Sequence, residues 1–215
     1  MDQKGFSIGE VLAFGWESWK KNWALFLGIS LFAFIVPLIP QALIMMLSEE
    51  AVVASFLLGV IHFILTVISH LGLLTVALKA ARQERFTFGD FFSKIHLFPS
   101  YLLGKIIYIL SVAFGLIFLI IPGIIIALKF NLWPFYVLDH SYSARESLKV
   151  SNRVVYGAKW DLFLFGISVL IINILGLLAF GIGFLITWPV SLIAWSKVYL
   201  KLSETHEIIS HEKNL

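Results

Sequence analysis

The sequence predicts an all-α fold, a polytopic membrane helical bundle. Its six transmembrane helices form three hairpins, each preceded by a cytoplasmic interfacial amphipathic helix. The first observation is composition. Hydrophobic residues make up 60% of the chain and charged residues only 13%, where a soluble domain carries about 25% charge. Mean hydropathy is +0.94, so too few charges exist to coat a water-facing surface. The second is the set of long uncharged runs, at 22–48, 51–78, 106–128, 130–138 and 162–196. A helix needs about 20 apolar residues to cross a bilayer core of about 30 Å. As one helix the last run would reach about 50 Å, so it must fold back near 176–183. Pro122-Gly123 breaks helices and permits tight turns, which places a second reversal there, and Ser48-Glu49-Glu50 marks the remaining one. The third is charge placement. None of these tips carries Lys or Arg, and of the 16 basic residues only Lys129 stands apart from the opposite ends. Basic residues collect on the cytoplasmic side, so both termini are expected there.

Taken in order, the chain repeats one opening signal. Phe6-Ser7-Ile8-Gly9-Glu10, Phe86-Thr87-Phe88-Gly89-Asp90 and Tyr142-Ser143-Ala144-Arg145-Glu146 each read aromatic, hydroxyl, two residues, acid. That spacing is a capping box, in which the hydroxyl caps a new helix and the acid reaches back. The recurrence predicts one membrane domain, 1–215, of degenerate units at about 6–78, 86–139 and 142–202, with a short cytoplasmic tail at 203–215. The helices that open the units are amphipathic. In the second, Phe88, Phe91, Phe92, Ile95 and Phe98 share a face opposite Asp90, Ser93 and Lys94. In the first, Trp16, Trp19 and Trp23 read as interface anchors. Such helices lie flat at the headgroups. Together they would form a cytoplasmic collar that seats the bundle, or that docks a partner or lipid.

Within the spans, Ser55, Gly59, His62, Thr66 and Ser69 recur every three to four residues on one face, as do Gly104, Tyr108, Ser111 and Gly115. Small residues admit close helix approach and polar ones bond between helices; a polar pathway is the other reading. Pro37, Pro134 and Pro189 would each free a carbonyl inside a span. Lys129 is the most unusual residue. Placed about 9 Å from a turn at Pro122-Gly123, it can snorkel to the outer surface, or contact an anionic headgroup or substrate. Lys129, His62 and Thr66 are therefore the candidate ligand or lipid contacts. No catalytic, cofactor or metal residue is expected. The chain has no cysteine, which excludes disulfides and thiol chemistry. His62 and His70 are about 12 Å apart along one helix and are expected to be buried and hydrogen-bonded. His206-Glu207 with His211 departs from the zinc-protease spacing by one residue. No basic run is dense enough for nucleic acid, and residues 1–21 lack a cleavable signal pattern.

One stretch carries a resemblance. Pro122-Gly123-Ile124, Lys129, Pro134, Asp139, the run from Glu146 to Ser151, Gly157 to Trp160 and, in the last span, Pro189 resemble an uncharacterised family of six-span bacterial and archaeal membrane proteins. That family is similar to the membrane domain fused to some glycerophosphodiester phosphodiesterases. The resemblance implies a multi-pass protein of the bacterial inner membrane. It transfers no hydrolase activity, since the fused catalytic barrel is absent. Two functions follow: a non-enzymatic scaffold or accessory protein of membrane or envelope homeostasis whose collar contacts lipid or a protein partner, and, as the alternative, a small-molecule or lipid transporter with a site near Lys129. Oligomeric state has no signature here. The orientation is testable in this cysteine-free chain: Glu49→Cys should react with an impermeant maleimide in intact cells, and labelling only after lysis would reverse the predicted topology.

Overall fold

The computed structural model describes residues 5–48, 50–179 and 181–212, with side chains through His206. Nine α-helices account for most of these residues. Helix α1 (Ile8–Lys21) leads into the first hairpin, α2 (Trp23–Met45) and α3 (Val52–Ala81). Two 3-10 turns, Phe88–Phe92 and Ile95–Leu97, lead into the second: α4 (Phe98–Phe118), then α5 (Ile120–Phe130) and α6 (Trp133–His140). Helix α7 (Ala144–Val154) leads into the third, α8 (Lys159–Leu178) and α9 (Phe184–Glu212). Five stretches are long and apolar enough to cross a bilayer: α2, α3, Phe88–Phe118, Ile120–His140 and Lys159–Leu178. Much of their surface stays outside the protein core, as at Phe56, Leu110 and Leu170, which suits contact with acyl chains rather than water.

Local chemistry explains where the leading elements begin. Ser7 accepts from the Glu10 amide and Ser143 from the Glu146 amide, while Asp90 accepts from the Thr87 amide at 2.8 Å. Each places a polar side chain on backbone groups that the first turn leaves without partners. Beyond its cap the second element departs from the expected α-helix. Phe88 to Phe98 is split into the two 3-10 turns, and Lys79 of α3 holds Asp90 at 2.6 Å. Phe91 lies directly over Gly72, where a Cβ would come within 2.6 Å of its ring, and Phe32 meets the rings of Phe88, Phe91 and Phe92 edge-on. Phe91 is therefore buried on the first hairpin, while Phe88, Phe92 and Ile95 of the same face stay exposed. Trp19 is likewise buried, whereas Trp16 and Trp23 are exposed.

The three leading elements dock in a ring. Helix α1 packs on α9, the 3-10 turns on α3, and α7 on α4, α5 and α6. Each thus rests on the hairpin before its own, with the first resting on the last. In α7 the buried residues are Ala144, Ser147, Leu148, Ser151 and Val154, one stripe at helical spacing. Each hairpin is then closed within itself. Gly115 and Gly123 bring α4 and α5 into backbone contact, and Asn173 Nδ2 of α8 donates to Ser191 Oγ of α9 at 2.8 Å.

The second hairpin corrects the turn position. The chain reverses at Leu119, a single extended residue (φ −163°, ψ 148°), and Pro122-Gly123 lies inside the first turn of α5. Proline is tolerated there because first-turn amides have no intrahelical partner, and Gly123 serves close packing rather than reversal. Pro134 also moves: it stands at the start of α6, after a break at Asn131 and Leu132, and does not interrupt a helix. Ser151 of α7 bridges that break. Its buried hydroxyl accepts from the Leu132 amide at 3.1 Å and donates to the Lys129 carbonyl at 3.0 Å. Ser151→Ala would strand two buried backbone groups, and a group left unpaired costs about 1–3 kcal/mol. The variant should lose stability of that order in denaturant titrations in micelles; an unchanged midpoint would refute the clasp.

Candidate functional site

The helix ends opposite the three tips converge on Asp139, the penultimate residue of α6. Its carboxylate is only 12% exposed. Arg82, capping the end of α3, donates from Nη2 to both oxygens, at 2.6 and 2.5 Å. Tyr199 of α9 donates its hydroxyl to Oδ2 at 2.7 Å. One carboxylate thus ties one helix from each hairpin. Burial, then the Asp139 charge beside it, pushes the Tyr199 phenol well above its usual range, so it remains a donor. Burial opposes the Arg82 charge, but the bond and attraction to Asp139 outweigh it and the guanidinium is held protonated. Stacking completes the assembly: Phe135 lies parallel to Tyr199 at 5.1 Å, and the near-parallel rings of Tyr136, His140 and Tyr142 cluster within 6.4 Å of one another. Ser141 takes a left-handed conformation (φ 55°) that turns the chain back into α7.

A polar cleft of 560 Å³ opens beside this node, lined by Arg82, Gln83, Asp139, His140, Lys197, Ser203 and Glu204 among others. Asp139, His140 and Ser203 meet here, yet they do not form a charge-relay set. His140 Nε2 is 3.7 Å from Asp139, too far for a hydrogen bond. Ser203 Oγ shares its bond, at 2.8 Å, with the Tyr136 hydroxyl. Both oxygens of the Asp139 carboxylate are engaged, by Arg82 and Tyr199.

The contacts expected from sequence lie elsewhere and apart. His62 Nδ1 sits 2.7 Å from the Pro37 carbonyl oxygen, so that nitrogen carries the proton and bonds α3 to the doubly proline-bearing part of α2. Thr66 is exposed and gives its hydroxyl to the His62 carbonyl one turn earlier. Gly59 has nothing within reach of a Cβ, so this face of α3 makes no glycine-packed seam. His70 is hydrogen-bonded to the Tyr101 hydroxyl, with Trp188 on its other side. Lys129 occupies the last turn of α5, about 15 Å along the helix from the reversal at Leu119. That is nearer α7 than the tip, so snorkelling to the outer surface gives way to a position beside the leading elements. Among the described residues no hydrogen bond or ion pair joins Lys129 to His62 or Thr66. Of the remaining motif residues, Gly157 takes φ 97° in the turn into α8, Trp160 is 74% exposed at its start, and Pro189 lies within α9. No group of three or more His, Cys, Asp or Glu that could hold a metal forms among the described residues; the side chains of Glu207 and His211 lie outside them.

The Asp139 node is open to a double-mutant cycle. Tyr199→Phe alone should cost about 1.5–3 kcal/mol, as expected for a bond to a charged acceptor. Arg82→Ala and Asp139→Ala together should cost clearly less than the sum of the singles. Additive losses in micelle unfolding would remove the node from the account of stability.

No protein-family description matches the chain, and no solved structure does. The chain is similar to uncharacterised proteins of Mycobacterium bovis and Mycobacterium tuberculosis, 26% identical over an alignment covering 94% of this chain and 70% of theirs. Their names carry no activity.

Proposed function

We propose that the protein is a multi-pass accessory or scaffold protein of the bacterial inner membrane, non-enzymatic, with its basic end in the cytoplasm. In this reading α9 supplies the sixth span. Its apolar part runs from Phe184, and Lys197 and Lys201 anchor its cytoplasmic end. The observation that carries the proposal is the contrast between the two ends. The basic end is consolidated by the docking ring and the Asp139 node, and the spans expose their apolar flanks. A consolidated polar platform on apolar spans suits a protein that holds something at the membrane surface. Its working face is the outer side of α7, where Arg145, Lys149 and Arg153 follow at intervals of four with Glu146 among them.

The transporter alternative draws no support from the residues that motivated it. His62 and Thr66 are engaged within the first hairpin, Lys129 lies in the second, and neither the cleft at Asp139 nor the groove between α5 and α8 includes any of them. A photo-crosslinking residue at Lys149 tests the scaffold reading in native membranes. A discrete adduct is expected, and it should vanish when Arg145 and Arg153 are changed to Glu. Adducts indifferent to those charges, or none, would sink the proposal.

A further inference from the structure

An apolar groove of 510 Å³ runs between α5 and the start of α8, within the roughly 300–1,000 Å³ typical of ligand sites. One wall is aliphatic, from Ile121, Ile124 and Leu128; the other is Trp160 and Phe163, whose rings meet edge-on at 5.6 Å. Both walls belong to stretches long and apolar enough to cross a bilayer, where such a groove would meet acyl chains. Its mouth is cationic. Lys159 lies on the groove lining with its Nζ 5.7 Å from the Tyr156 ring centroid, and Tyr156 and Trp160 are 72% and 74% exposed. The basic stripe of α7 ends at Arg153, a few residues before this mouth.

We infer that this groove is a binding site for an anionic phospholipid, whose acyl chain lies between α5 and α8 while its headgroup is held by Lys159. The occupant follows from the juxtaposition. An aliphatic trough open to the bilayer fits an acyl chain, and an ammonium at its mouth beside two exposed aromatic rings fits an anionic headgroup at the interface. A zwitterionic headgroup would satisfy the trough equally but gain little from the lysine. The inference rests on the membrane reading above and adds lipid selectivity to it.

Quenching by brominated lipid tests it. The full chain, with Lys159→Gln and Trp160→Phe variants, is placed in nanodiscs doped with brominated phosphatidylglycerol or brominated phosphatidylcholine. Bromine quenches indole on contact, and subtracting the Trp160→Phe signal isolates Trp160 from the other tryptophans. Brominated phosphatidylglycerol should quench Trp160 at about fivefold lower mole fraction, the effect of one lysine near an anionic surface, and Lys159→Gln should abolish that preference. Equal quenching by the two lipids, or a preference that survives Lys159→Gln, would overturn the headgroup site and leave the membrane reading standing. No quenching by either lipid would overturn both.

Discussion

The carboxylate of Asp139 is the constraint on which the rest of the structure depends. Hydrophobic burial cannot hold transmembrane hairpins together as it holds a soluble core, because lipid solvates apolar faces as well as protein does. Association must come from close packing and directed polar bonds. Within each hairpin those are present, in the glycine contact of α4 with α5 and the Asn173 bond of α8 with α9. Between hairpins directed bonds include His70 with Tyr101 and Tyr136 with Ser203, but Asp139 joins all three. Asp139 receives a two-pronged guanidinium bond from α3 and a phenol bond from α9. Its partial burial makes these bonds stronger than surface ion pairs, which contribute little.

The leading elements share that work by a different means. Their caps are local, but their apolar faces belong to other hairpins. Phe91 covers Gly72, Gly15 of α1 sits against the backbone of α9, and Ser151 of α7 repairs the break between α5 and α6. The mutual docking gives the basic end a continuous core containing Trp133, Tyr136, Leu148, Val198 and Tyr199. The opposite ends of the hairpins contribute few residues to it.

What could be read in the sequence was whatever depends on near neighbours. The caps at Ser7, Thr87 and Ser143 show as a hydroxyl three residues before an acid, a pattern visible in one dimension, although the acid is seen reaching back only at Asp90 while Glu10 pairs with Lys201. The apolar spans and the satisfied histidines follow from equally general costs of burying polar groups. Proline misled because its effect depends on position: Pro122 and Pro134 fall where a helix begins and needs no amide donor, so neither marks a turn or a mid-span kink. The aromatic run from Phe88 misled because its periodicity suits an α-helix, while Gly72 and Lys79 on a distant helix pull it into tighter turns. Asp139 and Ser151 were visible as motif residues, but their roles were not. Arg82 lies 57 residues before Asp139 and Tyr199 60 after it, and nothing in local spacing announces such pairs.

The clasp at Ser151 and the node at Asp139 also impose an order of events during synthesis. The Lys129 carbonyl and Leu132 amide emerge some 20 residues before the hydroxyl that joins them. The Asp139 carboxylate waits 60 residues for Tyr199, about 3–12 s at translation rates of about 5–20 residues per second. For that interval the Asp139 carboxylate is held by Arg82 without Tyr199, and the nascent α6 must stay where water or the insertion machinery can solvate its open groups. Helix α9, made after both other hairpins, is therefore the one that locks the node.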